Sequence, residues 1–211
     1  MSAPQGSPEW LAARCGKITA SRIADMMART KNGYGASRAN YLAQLVAERL
    51  TGKPAENYTN AAMQWGTDTE PQARAAYEFH SGQSVVEVSF IEHPSIPMAG
   101  ASPDGLIGDD GLIEIKCPLT ATHIEYLLSG NVPGKYEKQM QFQMACTGRK
   151  WCDFFSFDPR LPERLRMFTA RLKRDDAMIQ QIEQEVIAFQ AELAETLYKL
   201  DHRASPYGDA L

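Results

Sequence analysis

Asp104, Glu114 and Lys116 place two carboxylates and an ammonium within the stretch Ser-Pro-Asp-Gly-Leu-Ile-Gly-Asp-Asp-Gly-Leu-Ile-Glu-Ile-Lys-Cys-Pro, residues 102–118. Leu112, Ile113 and Ile115 are β-prone, with Gly111 before them and Pro118 after, so 111–117 reads as a short strand. Side chains at i and i+2 of a strand share a face, roughly 6 to 7 Å apart. Glu114 and Lys116 therefore project together, and Ile113, Ile115 and Cys117 face the other way. A glycine-rich return over 105–111 predicts a hairpin that carries Asp104 back beside Glu114. Two carboxylates and a lysine make a hard-oxygen site of the kind Mg²⁺ takes, since that ion uses a few carboxylates and keeps waters for phosphate oxygens. The lysine can orient or activate the attacking water and offset charge on a phosphate. The same spacing also fits an acidic hairpin tip with a surface Glu–Lys ion pair.

The elements that must position these groups can be read in chain order. Ser7 and Pro8 open a short helix to about Ala13, which Gly16 ends. Thr19 or Ser21 is expected to cap a second helix running to about Ala28, with the phosphate-receiving N-terminus this implies. Residues 30–36 read as a glycine-containing loop carrying Lys31, and 37–50 as a helix closed by Gly52. Pro71 suits the first turn of a helix to about Phe79, which places Glu70 at its start. Strands are expected over 83–92 and 96–101. Thr120 caps a helix to about Leu128, and a further helix over 135–147 sets Gln139 and Gln143 on one face at i,i+4. Strands over 151–157 and 165–172 and one long helix over 175–200 complete the chain, and the residues after His202 are expected to fray.

With 211 residues and 44% hydrophobic content, the chain can bury one sizeable core without a second domain. No apolar run approaches the length of a membrane span, and the N-terminus lacks a secretory pattern, so a cytoplasmic protein without membrane partners is expected. Cys15, Cys117, Cys146 and Cys152 have no C-x-x-C spacing and read as free thiols. The net charge of −4 argues against a protein that coats nucleic acid indiscriminately. Its distribution is uneven: 14–53 holds eight Lys/Arg against two acids, and 175–201 holds seven acids against Lys199. A basic front that guides DNA and a solvated acidic tail fit this pattern, as do two ordinary amphipathic faces.

Pro103-Asp104 followed by Glu114-Ile115-Lys116 resembles the PD-(D/E)XK nuclease motif, and the longer string around it resembles the bacteriophage lambda exonuclease family of alkaline exonucleases. Arg-x-Gly-x-Ile-Thr-Ala-Ser at 14–21, Trp65-Gly66 with Glu70 and Ala73-Arg74, and Gln139 are similar to the same family. The resemblance implies a single α/β domain over 1–211, restriction-endonuclease-like, with a central mixed sheet of about five strands flanked by helices. It implies a Mg²⁺-dependent 5′-to-3′ exonuclease, with Mn²⁺ as a possible substitute, that digests one strand of duplex DNA from an end and leaves 3′ overhangs for recombination. Asp104, Glu114 and the Ile115 carbonyl would hold metal with Glu70 at the edge, and Lys116 would position or activate the attacking water. Arg14, Thr19, Ser21, Ser102 and Gln139 would hold the 5′-phosphate, Met63 would part the strands, and Lys31 would contact substrate. A homotrimeric ring and a single-strand annealing partner are implied as well. Another nuclease of the superfamily, or an inactive DNA-end-binding protein, is the alternative.

Overall fold

The strand that carries Glu114 and Lys116 lies in the middle of the principal sheet. The computed structural model describes residues 3–55 and 60–203, so the stretch from 204 on, expected to fray, lies outside the described residues. The strands are β1 (Ile18–Thr19), β2 (Arg29–Thr30), β3 (Gly33–Tyr34), β4 (Val85–Val86), β5 (Ile91–Glu92), β6 (Ala99–Ala101), β7 (Gly105–Ile107), β8 (Gly111–Lys116), β9 (Trp151–Phe157) and β10 (Met167–Lys173). The helices are α1 (Pro8–Arg14), α2 (Ile23–Met26), α3 (Ala36–Thr51), α4 (Ala61–Ser81), α5 (Thr120–Ser129), α6 (Gly134–Thr147) and α7 (Asp176–Asp201). Five strands form a mixed sheet in the order β10-β9-β8-β7-β4. The β8–β9 pair is parallel, with Glu114 opposite Phe154, and the other pairs are antiparallel. A parallel pair needs a long crossover connection, and α5 and α6 supply it.

Period-2 alternation divides the core between the two faces of this sheet. Leu112 and Phe154 face one way and pack with Met140, Met144, Leu45, Ile182 and Phe189 of α6, α3 and α7. Ile113, Ile115, Phe155 and Phe157 face the other way, against Ala73 and Tyr77 of α4. Glu114 is thus buried on the α6 side. A smaller sheet, β1-β6-β5, joins the N-terminal segment to the approach to Asp104.

Several expectations hold closely. Ser7 caps α1, accepting from the Trp10 amide, and the long helix expected over 175–200 is α7, Asp176–Asp201. Gly52 ends α3 in the left-handed conformation. Among the described residues no helix is long and apolar enough to cross a membrane, and all four cysteines are free.

Others are corrected. The helix around Glu70 begins ten residues earlier than Pro71 suggests: Asn60 accepts from the Met63 amide at 2.9 Å, and α4 runs through Pro71 to Ser81. An interior proline costs roughly 3 kcal/mol. Burial of Thr69, Ala73 and Tyr77 along the same helix offsets it, so Glu70 sits mid-helix. Residues 83–92 do not form one strand, because β4 pairs with β7 and β5 pairs with β6, and the chain passes from one sheet to the other between them. The strand expected over 96–101 begins only at Ala99, after Met98 turns through φ 56°. The second helix is reduced to a 3-10 turn, Ala20–Arg22, and the single turn of α2, with no side-chain cap from Thr19. Thr120 likewise does not cap α5, since its hydroxyl donates to Asp158 at 2.6 Å. The loop at 30–36 contains the hairpin β2–β3, with Lys31 at its tip.

Candidate active site

The β7–β8 hairpin brings the three charged groups together. Gly105 permits it, because a Cβ there would lie 2.2 Å from Val85 of β4. Gly108, at φ 49°, makes the turn. Asp104 then lies beside β8, and its Oδ2 accepts from the Ile115 amide at 2.6 Å. Glu114 is 1% exposed, and both of its oxygens are engaged. Gln139 Nε2 donates to Oε1 and Gln143 Nε2 to Oε2, each at 2.6 Å. Lys116 Nζ also pairs with Oε1 and lies 5.3 Å from the centre of the Tyr136 ring.

Burial and the charge of Glu114 hold the Asp104 carboxyl well above the usual range, more than Lys116 offsets. Burial alone would lower Lys116, yet the adjacent Glu114 and Asp104 raise it. The cluster therefore has more carboxylate than cation and would be relieved by added positive charge. Two carboxylates and the Ile115 peptide carbonyl are the hard donors that a Mg²⁺ ion completes with water, and this donor set fits one. Glu70 stands apart. It pairs with Arg74 at 2.7 Å, and Arg74 also holds Glu87. Among the described residues no three His, Cys, Asp or Glu side chains are gathered closely enough to hold a metal. Burial raises the Glu70 carboxyl against the pull of Arg74 and Lys116.

Next to the cluster is a cavity of about 740 Å³ lined by Arg14, Thr19, Ser21, Met63, Glu70 and Arg74, among others. Arg14 is the best-prepared group in it. Its guanidinium lies 4.0 Å over the Trp10 ring and donates to Ser102 Oγ at 3.2 Å, and Trp10 Nε1 donates to the same oxygen at 3.0 Å. Burial lowers its pKa, marking a cation with little water around it. Thr19 and Ser21 hydroxyls are 3.4 Å apart, and Tyr41 accepts from the Thr19 amide at 3.0 Å. Met63, 52% exposed, stands on the first turn of α4.

Residues 9–150, which include all of these groups, match the YqaJ-like viral recombinase domain. The chain is also 56% identical to an alkaline exonuclease from Laribacter hongkongensis, LHK-Exo, with a TM-score of 0.86 over 92% of this chain and 96% of that one. The chain belongs to the alkaline exonuclease family of the lambda type. The structure of LHK-Exo in complex with dAMP matches it equally, at 56% identity and a TM-score of 0.87 over the same shares of the two chains. A phage-related exonuclease from Haemophilus somnus 129PT shares the fold at 17% identity, with a TM-score of 0.70 over 87% of this chain and 96% of that one. No curated protein matches the sequence.

Within this alkaline exonuclease fold, Arg14, Thr19, Ser21, Met63 and Glu70 line one cavity, and Ser102 joins it through Arg14. Gln139 does not line it; its amide is on Glu114. Lys31, on the β2–β3 hairpin, is also not among the lining residues. Trp10, Tyr41, Arg74 and Gln143 were not foreseen as parts of the site. Three of these left a trace in the sequence, since Trp10 precedes Arg14 by four residues on α1, Arg74 follows Glu70 by four on α4 and Gln143 follows Gln139 by four on α6, the spacing at which helical side chains meet. The Tyr41 contact left none, because it is made by tertiary packing.

Proposed function

We propose that the protein is a Mg²⁺-dependent exonuclease, with Mn²⁺ able to substitute, that digests one strand of linear duplex DNA in the 5′-to-3′ direction and leaves 3′ overhangs for recombination. The observation that carries this reading is the triad built on the buried Glu114: half-buried Asp104 fixed on the Ile115 amide, with Glu114 and half-buried Lys116 paired one strand period apart. Asp104, Glu114 and the Ile115 carbonyl hold the metal, with Glu70 approaching from α4 if it leaves Arg74. The ion, when bound, supplies Lewis-acid polarisation of the scissile phosphate and a more acidic water.

Lys116 orients that water and offsets phosphate charge as a standing ammonium. Arg14, pre-oriented by Trp10 and Ser102, and the hydroxyls of Thr19 and Ser21 receive the terminal 5′-phosphate. Met63 on α4 parts the end base pairs, and Lys31 meets the backbone further along. Gln139 reaches the phosphate only by leaving Glu114. The chain acts as a homotrimeric ring in the cytoplasm, with a single-strand annealing protein as its partner in recombination.

End-labelled linear duplex tests the reading. Digestion should need Mg²⁺, stop in EDTA and release 5′-nucleotides first, faster from 5′-phosphorylated than from 5′-hydroxyl ends. Arg14→Ala should shrink that preference, because misplacing the scissile bond by about 1 Å can cost on the order of a hundredfold. Equal rates on the two ends in wild type would remove the 5′-phosphate role, and cleavage of sealed circular duplex would favour an endonuclease.

A further inference from the structure

Gln143 has no part in the function proposed above, yet it is fully buried and makes one of the two amide contacts to Glu114. We infer that Gln143 is a positioning residue: it holds Glu114 permanently through Oε2 and so reserves Oε1 as the coordinating oxygen. The inference rests on the metal-dependent reading of this site and adds a division of labour between two glutamines of one helix.

The two contacts differ in kind. Gln139 is half-buried and shares Oε1 with Lys116, so that oxygen carries two donors at the open side of the cluster. Gln143 is alone on Oε2, 0% exposed, one helical turn deeper. The orientation of its amide is set at both ends: a carboxylate oxygen requires a donor, which is Nε2, and Oε1 faces the Cys152 thiol, a weak donor, at 4.0 Å. An incoming cation can displace Gln139 and Lys116 from Oε1 while water replaces their lost contacts. Oε2 is closed off by the fully buried Gln143, so the Gln143 bond persists and keeps the carboxylate from rotating. Second-sphere hydrogen bonds of this sort set the aim of metal ligands, and their loss typically costs about 10- to 100-fold in metal affinity or activity.

The test is Mn²⁺ titration by calorimetry on Gln143→Met, which keeps the volume and removes the donor, beside wild type and Gln139→Met. Gln143→Asn, shorter but still polar, serves if the methionine variant fails to fold. The Gln143 variants should bind Mn²⁺ about 10- to 100-fold more weakly. Their kcat should fall with KM for DNA ends unchanged, and excess Mn²⁺ should restore turnover. Gln139→Met should bind Mn²⁺ at least as tightly as wild type, because it frees Oε1. Wild-type affinity in the Gln143 variants, or an equal loss in the Gln139 variant, overturns the division of labour. Failure of wild type itself to bind Mn²⁺ overturns the metal-dependent reading and the inference with it.

Discussion

Asp104 is a carboxyl whose surroundings disfavour its charge, since burial and Glu114 both raise its pKa against Lys116. A group whose folded pKa lies above its unfolded value, about 3.9 for Asp, favours the fold at low pH and loses that contribution as pH rises through the folded pKa. Without metal, an ionised Asp104 is therefore a local instability at alkaline pH. Asp104→Asn keeps an acceptor for the Ile115 amide and removes the charge. In EDTA at pH 8 the variant should melt above wild type, by about 2–4 °C for each kcal/mol relieved in a chain of this size. The gain should shrink as pH is lowered. Added Mg²⁺ should raise the wild-type Tm by ligand linkage and leave the variant unmoved, with cleavage lost. Differential scanning calorimetry at two pH values, with and without Mg²⁺, checks this, and a variant that melts below wild type in EDTA would refute it.

At the scale of elements, the least obvious contact joins α4 to the β9–β10 connection. The Arg160 guanidinium lies 4.2 Å over Trp65 of α4 and donates to the Pro118 carbonyl, while Asp158, fully buried, holds it at 2.7 and 2.9 Å. Burial alone would raise the Asp158 carboxyl, but hydrogen bonds from Arg160 and Thr120 take it down to about 2. Depression from 3.8 to about 2 corresponds to about 2 kcal/mol, present above the unfolded pKa and lost as pH falls through the folded one. Asp158→Asn should therefore lower unfolding stability in urea by about that amount at pH 7, with the deficit closing between about pH 4 and 2. An undiminished deficit at pH 2 would sink the assignment. Much of this scale was legible in advance: the Glu114–Lys116 pairing followed from the period of β8, and α3, α6, β9 and α7 followed from their patterns and caps. Where local signals pointed elsewhere, tertiary context had prevailed. Pro71 reads as a helix start, yet Asn60 is the cap and burial on α4 carries the helix through the proline. Thr19 and Ser21 look like caps, yet the segment they open is a strand and a 3-10 turn whose donors serve Tyr41 and the cavity. That the amide face of α6 turns onto Glu114 was not legible, because sequence does not say which side of a helix meets the sheet.

Over the whole molecule, the contrast between a basic front and an acidic tail is partly cancelled within one chain. Arg38 of α3 is buried and pairs with Glu192 at 2.7 Å and Glu185 at 3.6 Å of α7, and Arg29 pairs with Glu185 at 2.6 Å. Lys17 is taken by Glu92 and Arg22 by Asp25. Of the eight cations over 14–53, Arg14, Lys31, Arg49 and Lys53 are in no ion pair among the described residues, and Arg49 is turned onto the Gly16 carbonyl. The basic segment of a single copy therefore offers few free charges to the phosphate backbone, and phosphate contacts weaken as salt rises, with a slope of about −0.9 in log K against log salt for each one. A closed ring solves this by topology, since it keeps its DNA without strong binding at any one point. If the protein works as the proposed trimer of 23.4 kDa chains, mass photometry at active concentrations should show particles of about 70 kDa. A digestion started on labelled duplex and then flooded with unlabelled ends should continue through long tracts, and should remain processive at salt concentrations that abolish new loading. Monomers alone at active concentrations, or arrest as soon as the competing ends are added, would rule the ring out.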